Sequence, residues 1–192
     1  MTGTRPGIGH NNGPAMDRGV RYRTYQWRKA REALVPTLPL FVLRMRVKRA
    51  KELGLDYSTY AGVRASTGRD VIGFLFSSNA LDLKLTAVNF SPETAAKLEA
   101  ITGAAKLALV HPPLGPGAVA QANPVLDVVD AAPAFTDSFP ETREKLRRVI
   151  AARRLPADGV LVIGSTTLER GWCATARAAG YLPAERYFGE AR

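Results

Sequence analysis

The second half of the chain alternates between short apolar runs and longer amphipathic stretches, which is the pattern of an α/β protein. Apolar runs bounded by turn residues, each of which predicts a buried strand, occur at residues 70–78, 106–113, 125–131 and 159–165. Amphipathic stretches with helical spacing, each of which predicts a helix, occur at residues 91–103, 138–154 and 167–180. Strands that alternate with helices of this length form parallel βαβ units. We therefore predict a small three-layer α/β domain with a mostly parallel sheet at residues 70–192.

Local signals at the ends of these segments support the helix predictions. Ser91 is a candidate N-cap residue, and Pro92 follows it at the first helical position, where proline is favoured. Ser138 and Glu141 have the spacing of a capping box, in which each side chain bonds the other residue's backbone N–H. Gly180 is expected to end the last helix, because glycine readily adopts the left-handed conformation that stops a helix.

The first 69 residues follow a different pattern, which predicts helices without strands. Residues 1–20 are rich in Gly, Pro, Asn and Arg and show no periodicity, so we expect a flexible leader. Residues 21–69 carry apolar positions at helical spacing, interrupted by Pro36 and Pro39, and predict a basic helical segment. The α/β domain is therefore expected to follow two N-terminal segments.

Part of the basic segment, the sequence RVKRAKELGLDYSTYAGVRA at residues 46–65, resembles a helix-turn-helix unit. Gly54 stands where the motif makes its turn, and residues 56–64 stand where its recognition helix enters the major groove of DNA. Two positions depart from the motif: Arg49 replaces an apolar residue, and Gly62 lies within the recognition helix. The same letters also fit an ordinary helix that ends at a glycine.

Positive charge concentrates in this N-terminal part of the chain. The protein carries 27 Lys/Arg and 17 Asp/Glu, a net charge of +10, and residues 1–70 hold 14 of the basic and 5 of the acidic residues. Such a field favours DNA, RNA, an acidic protein surface or a lipid surface as partner, although a solvated basic face has the same composition. Our first hypothesis is a nucleic-acid-associated protein that binds phosphates through Arg21, Arg23, Arg28, Lys29, Arg31, Arg44, Arg46, Lys48, Arg49 and Arg64.

Polar residues follow three of the predicted strands and suggest a second hypothesis. In parallel α/β sheets, ligands bind beyond the carboxyl ends of the strands. Ser165, Thr166 and Thr167 would lie there at a helix N-terminus, whose backbone N–H groups attract anions. Asn79 and His111 would lie at the same edge, and His111 would be placed to act as a general base. These five residues predict a small α/β enzyme or a domain that binds a phosphate or nucleotide ligand.

Simpler interpretations of the same residues stay open, and so does the question whether the protein is an enzyme. Ser and Thr after a strand are commonly no more than N-cap residues. Neither common nucleotide loop, G-x-x-x-x-G-K-[ST] or G-x-G-x-x-G after a strand, occurs in the sequence. Ser77, His111 and Asp127 could assemble in space, but no G-x-S-x-G elbow supports a triad. A non-catalytic module that binds an acidic protein partner is therefore a third hypothesis.

The cysteine and histidine counts and the lack of long apolar runs further narrow the classes of protein that the sequence allows. Cys173 is the single cysteine, so an internal disulfide is impossible and a thiolate metal site is disfavoured. His10 and His111 are the two histidines, so we expect no metal site, and we expect no cofactor. The sequence contains no apolar run of about 18 residues and no apolar leader segment. We expect a cytoplasmic protein without membrane insertion.

Two stretches resemble one group of bacterial sequences. These are the leader GIGHNNGP at residues 7–14 and the stretch RAKELGLDYSTYAGVRASTGRDVIGFLFSSNAL at residues 49–81. Both resemble conserved-hypothetical proteins of alphaproteobacteria. The resemblance implies a bacterial cytoplasmic protein and brings no activity with it. No predicted strand precedes the glycines of the leader, so we interpret it as a tail rather than a phosphate loop.

Overall fold

The structure is a computed structural model that describes Tyr25 and residues 38–189. The chain divides into two units, residues 1–42 and 43–192. In the first unit, the described residues are Tyr25, which is exposed on a helix, and residues 38–42, where a helix begins at Leu40. The predicted leader and most of the predicted basic segment before residue 38 lie outside the described residues. The predicted segment boundaries therefore stay predictions.

Residues 38–189 form five strands, seven α-helices and one short 3₁₀ turn at Ala157–Gly159. The strands are β1 (Gly73–Ser77), β2 (Ala105–Val110), β3 (Val128–Ala131), β4 (Val160–Gly164) and β5 (Gly180–Pro183). The helices are α1 (Leu40–Glu52), α2 (Tyr57–Thr67), α3 (Pro92–Ala100), α4 (Pro116–Ala122), α5 (Phe139–Ala152), α6 (Thr167–Ala176) and α7 (Ala184–Phe188). No helix in this part of the chain has the length and apolarity to cross a membrane.

All five strands are parallel and lie in the order β3-β2-β1-β4-β5. The central strand is β1, where Leu75 pairs with Leu107 on one side and with Val162 on the other. The chain moves from β1 outwards to β2 and β3, and then crosses back to place β4 on the other side of β1. This sheet with two preceding helices confirms the predicted fold class.

Side chains of the strands alternate between two apolar cores, one on each face of the sheet. Phe74 and Phe76 of β1 contribute to the core under α1, α2, α3, α4 and α7. Leu75, between them, contributes to the core under α5 and α6. Successive side chains of a strand point to opposite faces, so an unbroken apolar run needs cover on both sides. The layers are therefore helices, sheet and helices, as predicted.

The C-terminal end of the chain differs from the prediction. Helix α6 ends at Ala176, because Arg177 adopts the left-handed conformation with φ of 56°. We expected the helix to continue to Gly180, but Gly180 begins the fifth strand instead. An arginine in this conformation carries a steric cost that glycine does not have, so sequence favoured the glycine as the stop.

Arg49 on α1 ties the N-terminal helices to the sheet. Its Nε donates to Asp70 Oδ2 at 3.1 Å. Its Nη1 donates to the Thr102 carbonyl at 3.0 Å, and its Nη2 donates to the carbonyls of Val71 and Gly103 at 3.1 and 2.9 Å. The planar guanidinium makes these four bonds together with one to Glu52 Oε2 at 3.3 Å on the same helix, which a lysine ammonium on its flexible stem does not reproduce. Arg49 therefore joins three separate segments of the chain.

Arg49→Lys is expected to lower the free energy of unfolding by about 2 kcal/mol, because charge-assisted hydrogen bonds to several partners are lost together. Arg44→Lys, at an exposed position of the same helix, is the matched control and is expected to change it by less than about 0.5 kcal/mol. Urea denaturation followed by circular dichroism measures both variants. Equal loss of stability in the two would contradict a structural role for Arg49.

Candidate functional site

The loops that follow β1, β2 and β4 meet at the carboxyl edge of the sheet. Strands β1 and β4 are neighbours, but the chain leaves them in opposite directions along the sheet. This arrangement is a topological switch point, where open parallel sheets hold their ligands. We name Asn79, His111, Ser165, Thr166 and Glu169 the carboxyl-edge site, because their polar groups converge here.

A fully buried carboxylate, that of Glu169, lies at the centre of this site. Its Oε1 accepts a hydrogen bond from Asn79 Nδ2 at 2.8 Å and lies 3.0 Å from His111 Nε2. Its Oε2 accepts hydrogen bonds from the backbone N–H groups of Ser165 and Thr166, at 2.6 and 2.9 Å. Donors from three separate loops therefore bind one carboxylate.

A capping box at the start of α6 explains why the carboxylate points to the sheet edge. Thr166 is the N-cap residue, and its hydroxyl accepts from the Glu169 N–H at 3.2 Å while the Glu169 side chain reaches back to the Thr166 N–H. Gly164, the last residue of β4, leaves room for this turn. A Cβ at Gly164 would lie 2.8 Å from the Glu169 Cβ, so a larger residue would displace the carboxylate.

Glu169 stays ionised in this buried position because its hydrogen bonds outweigh its desolvation. Burial by itself would raise the pKa of Glu169. Hydrogen bonds from the side chains of His111 and Ser77 and from the N–H groups of Ser165 and Thr166 act against burial, and together they lower the pKa to about 2. The site therefore contains a permanent negative charge at neutral pH.

His111 is the part of the site that solvent reaches. Its side chain is 20% exposed, and its ring stacks on the buried Trp172 with 5.5 Å between ring centroids. The contact of Nε2 with the Glu169 carboxylate places the proton of the neutral ring on Nε2. Among the described residues, no group bonds Nδ1, so its lone pair is free to accept a hydrogen bond.

The structure brings together four of the five predicted ligand-binding residues. Asn79 and His111 contribute side chains, whereas Ser165 and Thr166 contribute backbone N–H groups. The Thr166 hydroxyl serves as an N-cap, which was the simpler interpretation of this turn. Thr167, the first residue of α6, is exposed and makes no bond to the central carboxylate. A role of these residues in binding a ligand stays a prediction.

The carboxylate beside His111 belongs to Glu169. It does not belong to Asp127, which the sequence suggested as the third member of a triad. Asp127 precedes β3 at the amino edge of the sheet, where it accepts a hydrogen bond from the Lys106 N–H at 2.7 Å and pairs with Arg153 at 3.2 Å. Ser77 is buried, and its hydroxyl accepts from the Ala80 N–H. The three residues therefore form no triad.

Glu169 was missed by sequence reasoning, although a signal for its local geometry exists. Thr166 and Glu169 have capping-box spacing, the same signal that was recognised at Ser138 and Glu141. The two boxes differ in their surroundings, since Glu141 is exposed and Glu169 is buried. That difference comes from donors on other strands, which no local pattern encodes.

The basic residues proposed for nucleic-acid binding divide into three groups. Arg44 and Lys48 are exposed on α1, and Arg46 is half-buried there. Arg49 is the structural tie described above, and Arg64 on α2 lies 3.9 Å from Asp70. The remaining candidates lie outside the described residues; they are Arg21, Arg23, Arg28, Lys29 and Arg31. Nucleic-acid binding by these residues stays a prediction.

The helix-turn-helix resemblance has a counterpart in α1, α2 and the turn between them. Gly54 makes this turn with φ of +65°, as the motif predicts. On α2, however, the exposed positions carry small side chains, those of Ser58, Gly62, Ala65 and Ser66. The described face of the predicted recognition helix therefore offers few long side chains that could reach base edges.

The chain matches no family model, and comparisons with curated proteins and with solved structures found no similar protein. Within the described part of the chain, no three His, Cys, Asp or Glu side chains lie close enough together to hold a metal ion. The function therefore has to be inferred from the residues of the site.

Glu169→Gln tests whether the buried charge supports the fold. The pKa of Glu169 is lowered from 4.5 to about 2, so its contribution to stability is complete above about pH 5 and is lost as the pH falls towards 2. We expect the free energy of unfolding of the variant to be lower than that of wild type by on the order of 3 kcal/mol at pH 7. Most of the difference from wild type should disappear near pH 2. Denaturant unfolding at a series of pH values measures both effects.

Glu141→Gln is the matched control for this experiment, because it removes the glutamate of an exposed capping box on the neighbouring helix. We expect a much smaller loss in the free energy of unfolding at pH 7 for this variant, since water replaces the missing contacts. Similar losses in the two variants would show that the tertiary donors around Glu169 add nothing to the local cap.

Proposed function

We propose that the protein binds a small, uncharged polar molecule at the carboxyl-edge site, with His111 Nδ1 accepting a hydrogen bond from the ligand. The observation that carries this proposal is the pairing of a partly exposed imidazole with a fully buried carboxylate at the switch point of the sheet. The pairing orients the ring and leaves one nitrogen free towards solvent. The same free nitrogen could take a proton from a bound hydroxyl, so the site also fits general-base chemistry.

The charge of Glu169 argues for a neutral ligand instead of the phosphate expected from the sequence. The N–H groups of Ser165 and Thr166, which would have bound the phosphate, already bind this carboxylate. A second anion about 5 Å away would meet a repulsion of about 3 kcal/mol at an effective dielectric constant near 20. The attraction of a helix N-terminus is worth only about 0.3–1 kcal/mol. The repulsion therefore exceeds the attraction of the helix N-terminus.

Exposed apolar side chains at the same edge of the sheet support a binding role. Leu85 follows β1, Phe135 follows β3, Phe139 begins α5 and Leu168 lies in the first turn of α6. The exposed fractions range from 46% for Leu168 to 89% for Phe135. Small-molecule sites combine a few polar groups with apolar walls. A ligand with a neutral polar group and an apolar body fits this combination.

A matched pair of ligands tests the proposal directly. Benzamide and benzoate share an aromatic body and differ in charge, and the ring nitrogens of His111 report contact in long-range ¹H–¹⁵N spectra. We expect the His111 signals to shift with millimolar benzamide and to shift much less with benzoate. His111→Phe should abolish the amide shifts of neighbouring residues, because phenylalanine can still stack on Trp172 but lacks Nδ1.

His10→Phe serves as the control, since His10 is the other histidine of the chain. It should remove one set of ring signals and leave binding unchanged. An absence of shifts at His111 with both compounds would refute the ligand site. Equal shifts with benzoate would refute the preference for an uncharged ligand.

Nucleic-acid binding through α1 is a second candidate, favoured by one stripe of exposed cations. Arg44, Lys48 and Lys51 are exposed at spacings of four and three residues, which places them on one face of the helix. Lys48 makes only a long contact of 3.8 Å with Glu52. Such a stripe can follow a phosphate backbone without reading its sequence.

The salt dependence of binding tests this candidate. The triple variant Arg44→Gln, Lys48→Gln, Lys51→Gln should weaken binding to a labelled DNA duplex and reduce the slope of log K against log salt by roughly 2–3, because three phosphate contacts are lost. Fluorescence anisotropy between low and moderate salt gives the slope. A control triple with the same charge change, Lys84→Gln, Arg148→Gln, Arg154→Gln, should keep the slope. Identical slopes for both triples would refute the role of α1.

A further inference from the structure

An open groove runs between α5 and α6 at the amino edge of the sheet, at the opposite end from the carboxyl-edge site. Its volume is about 280 Å³. Its floor is aliphatic and includes Ile150 on α5, Leu155 in the following connection and Ala176 at the end of α6. Ile150 and Ala176 are also part of the apolar core on this face, so the floor is a firm surface.

Three arginines, Arg143, Arg147 and Arg177, line this groove, and no acidic residue lines it. We name these arginines and their aliphatic floor the arginine groove. No described carboxylate lies within ion-pair distance of any of the three. Lys145 on the same helix, by contrast, pairs with Asp137 at 2.6 Å. None of the three guanidinium groups is therefore held in an ion pair with a described residue.

Compensation of the helix dipoles does not account for these arginines. A cation stabilises the negative end of a helix only within about its last turn. Arg177 directly follows α6 and satisfies this condition, but the last turn of α5 contains no basic residue. Arg143 and Arg147 lie in earlier turns of α5. Two of the three charges therefore have no such structural reason.

We propose that the arginine groove binds an amphiphilic anion, with a short alkyl chain on the aliphatic floor and a carboxylate or phosphoryl head on the arginines. Guanidinium groups bind both heads through paired hydrogen bonds. The groove, with a volume of about 280 Å³, is large enough for a short alkyl chain such as that of octanoate. The groove is independent of the carboxyl-edge site and of any ligand bound there.

A nucleic acid fits this groove less well than an alkyl anion. Single-stranded nucleic acids bind through aromatic side chains that stack on the bases. The groove contains no aromatic residue; its non-arginine lining is aliphatic throughout. The floor therefore matches an alkyl chain, while the arginines match a single anionic head.

Calorimetric titration of the full chain with octanoate and with octyl phosphate tests the proposal. We expect at least one of them to bind, and the stronger ligand identifies the head group that the arginines prefer. Octyltrimethylammonium has the same chain with a positive head and should not bind. In ¹H–¹⁵N spectra, the shifts caused by the anion should concentrate at residues 143–157 and 174–178.

Single substitutions then separate the contribution of the arginine charges to binding from that of the shape of the groove. Arg147→Gln and Arg177→Gln should each weaken binding about fivefold or more, because each removes one charged contact with the head group. Arg148→Gln is the matched control, since Arg148 is exposed on the same helix and does not line the groove. Ala151→Phe keeps all three arginines but fills part of the groove, and it should abolish binding of the alkyl chain.

Three results would overturn the proposal. The first is no binding of either anion, and the second is equal binding of the cationic analogue. The third is an equal effect of Arg148→Gln and Arg147→Gln, which would show a general attraction to a basic surface. Unfolding curves of each variant confirm that the groove is still folded when binding is measured.

Discussion

A carboxylate that is shut off from water has to be surrounded by hydrogen-bond donors, and in this chain the donors come from three different loops. Glu169 can be satisfied only when the ends of β1, β2 and β4 stand in their correct places. Leaving such a charge without its partners costs several kcal/mol. The packing of the sheet and the geometry of the carboxyl-edge site therefore depend on each other. The orientation of His111, and with it the proposed chemistry, follows from the same requirement.

Arg49, which carries a positive charge, plays a comparable part at the amino edge of the sheet. It binds Asp70 and three backbone carbonyls that would otherwise lack a side-chain partner. Both residues act as polar links between segments that are distant in the sequence. Glu169 orients the partly exposed His111, whereas Arg49 only joins segments of the fold. The hydrogen bonds of Arg49 are therefore used within the fold, unlike those of the exposed Arg44 and Lys48 on the same helix.

The sequence was sufficient to predict those features of the fold that depend on local signals. Apolar runs located four strands, and Ser91, Ser138 and Gly54 marked helix ends as expected. The strand order and the fifth strand were not predicted. β5 has only four residues, of which the first is Gly180 and the last is Pro183, and both residue types are depleted in strands. At the site, the topology rule brought Asn79 and His111 to one edge. It could not reveal that a glutamate in the adjacent helix would be buried between them, because that depends on tertiary contacts.

The lengths of the strands have a consequence for how the protein can associate with itself or with others. The two outer strands, β3 and β5, have four residues each, and the inner ones have five or six. Asp130 lies on β3, and Pro183, which has no N–H to donate, ends β5. Short edges that carry a charge or a proline make poor templates for a further strand. The edges of the sheet therefore disfavour growth from chain to chain.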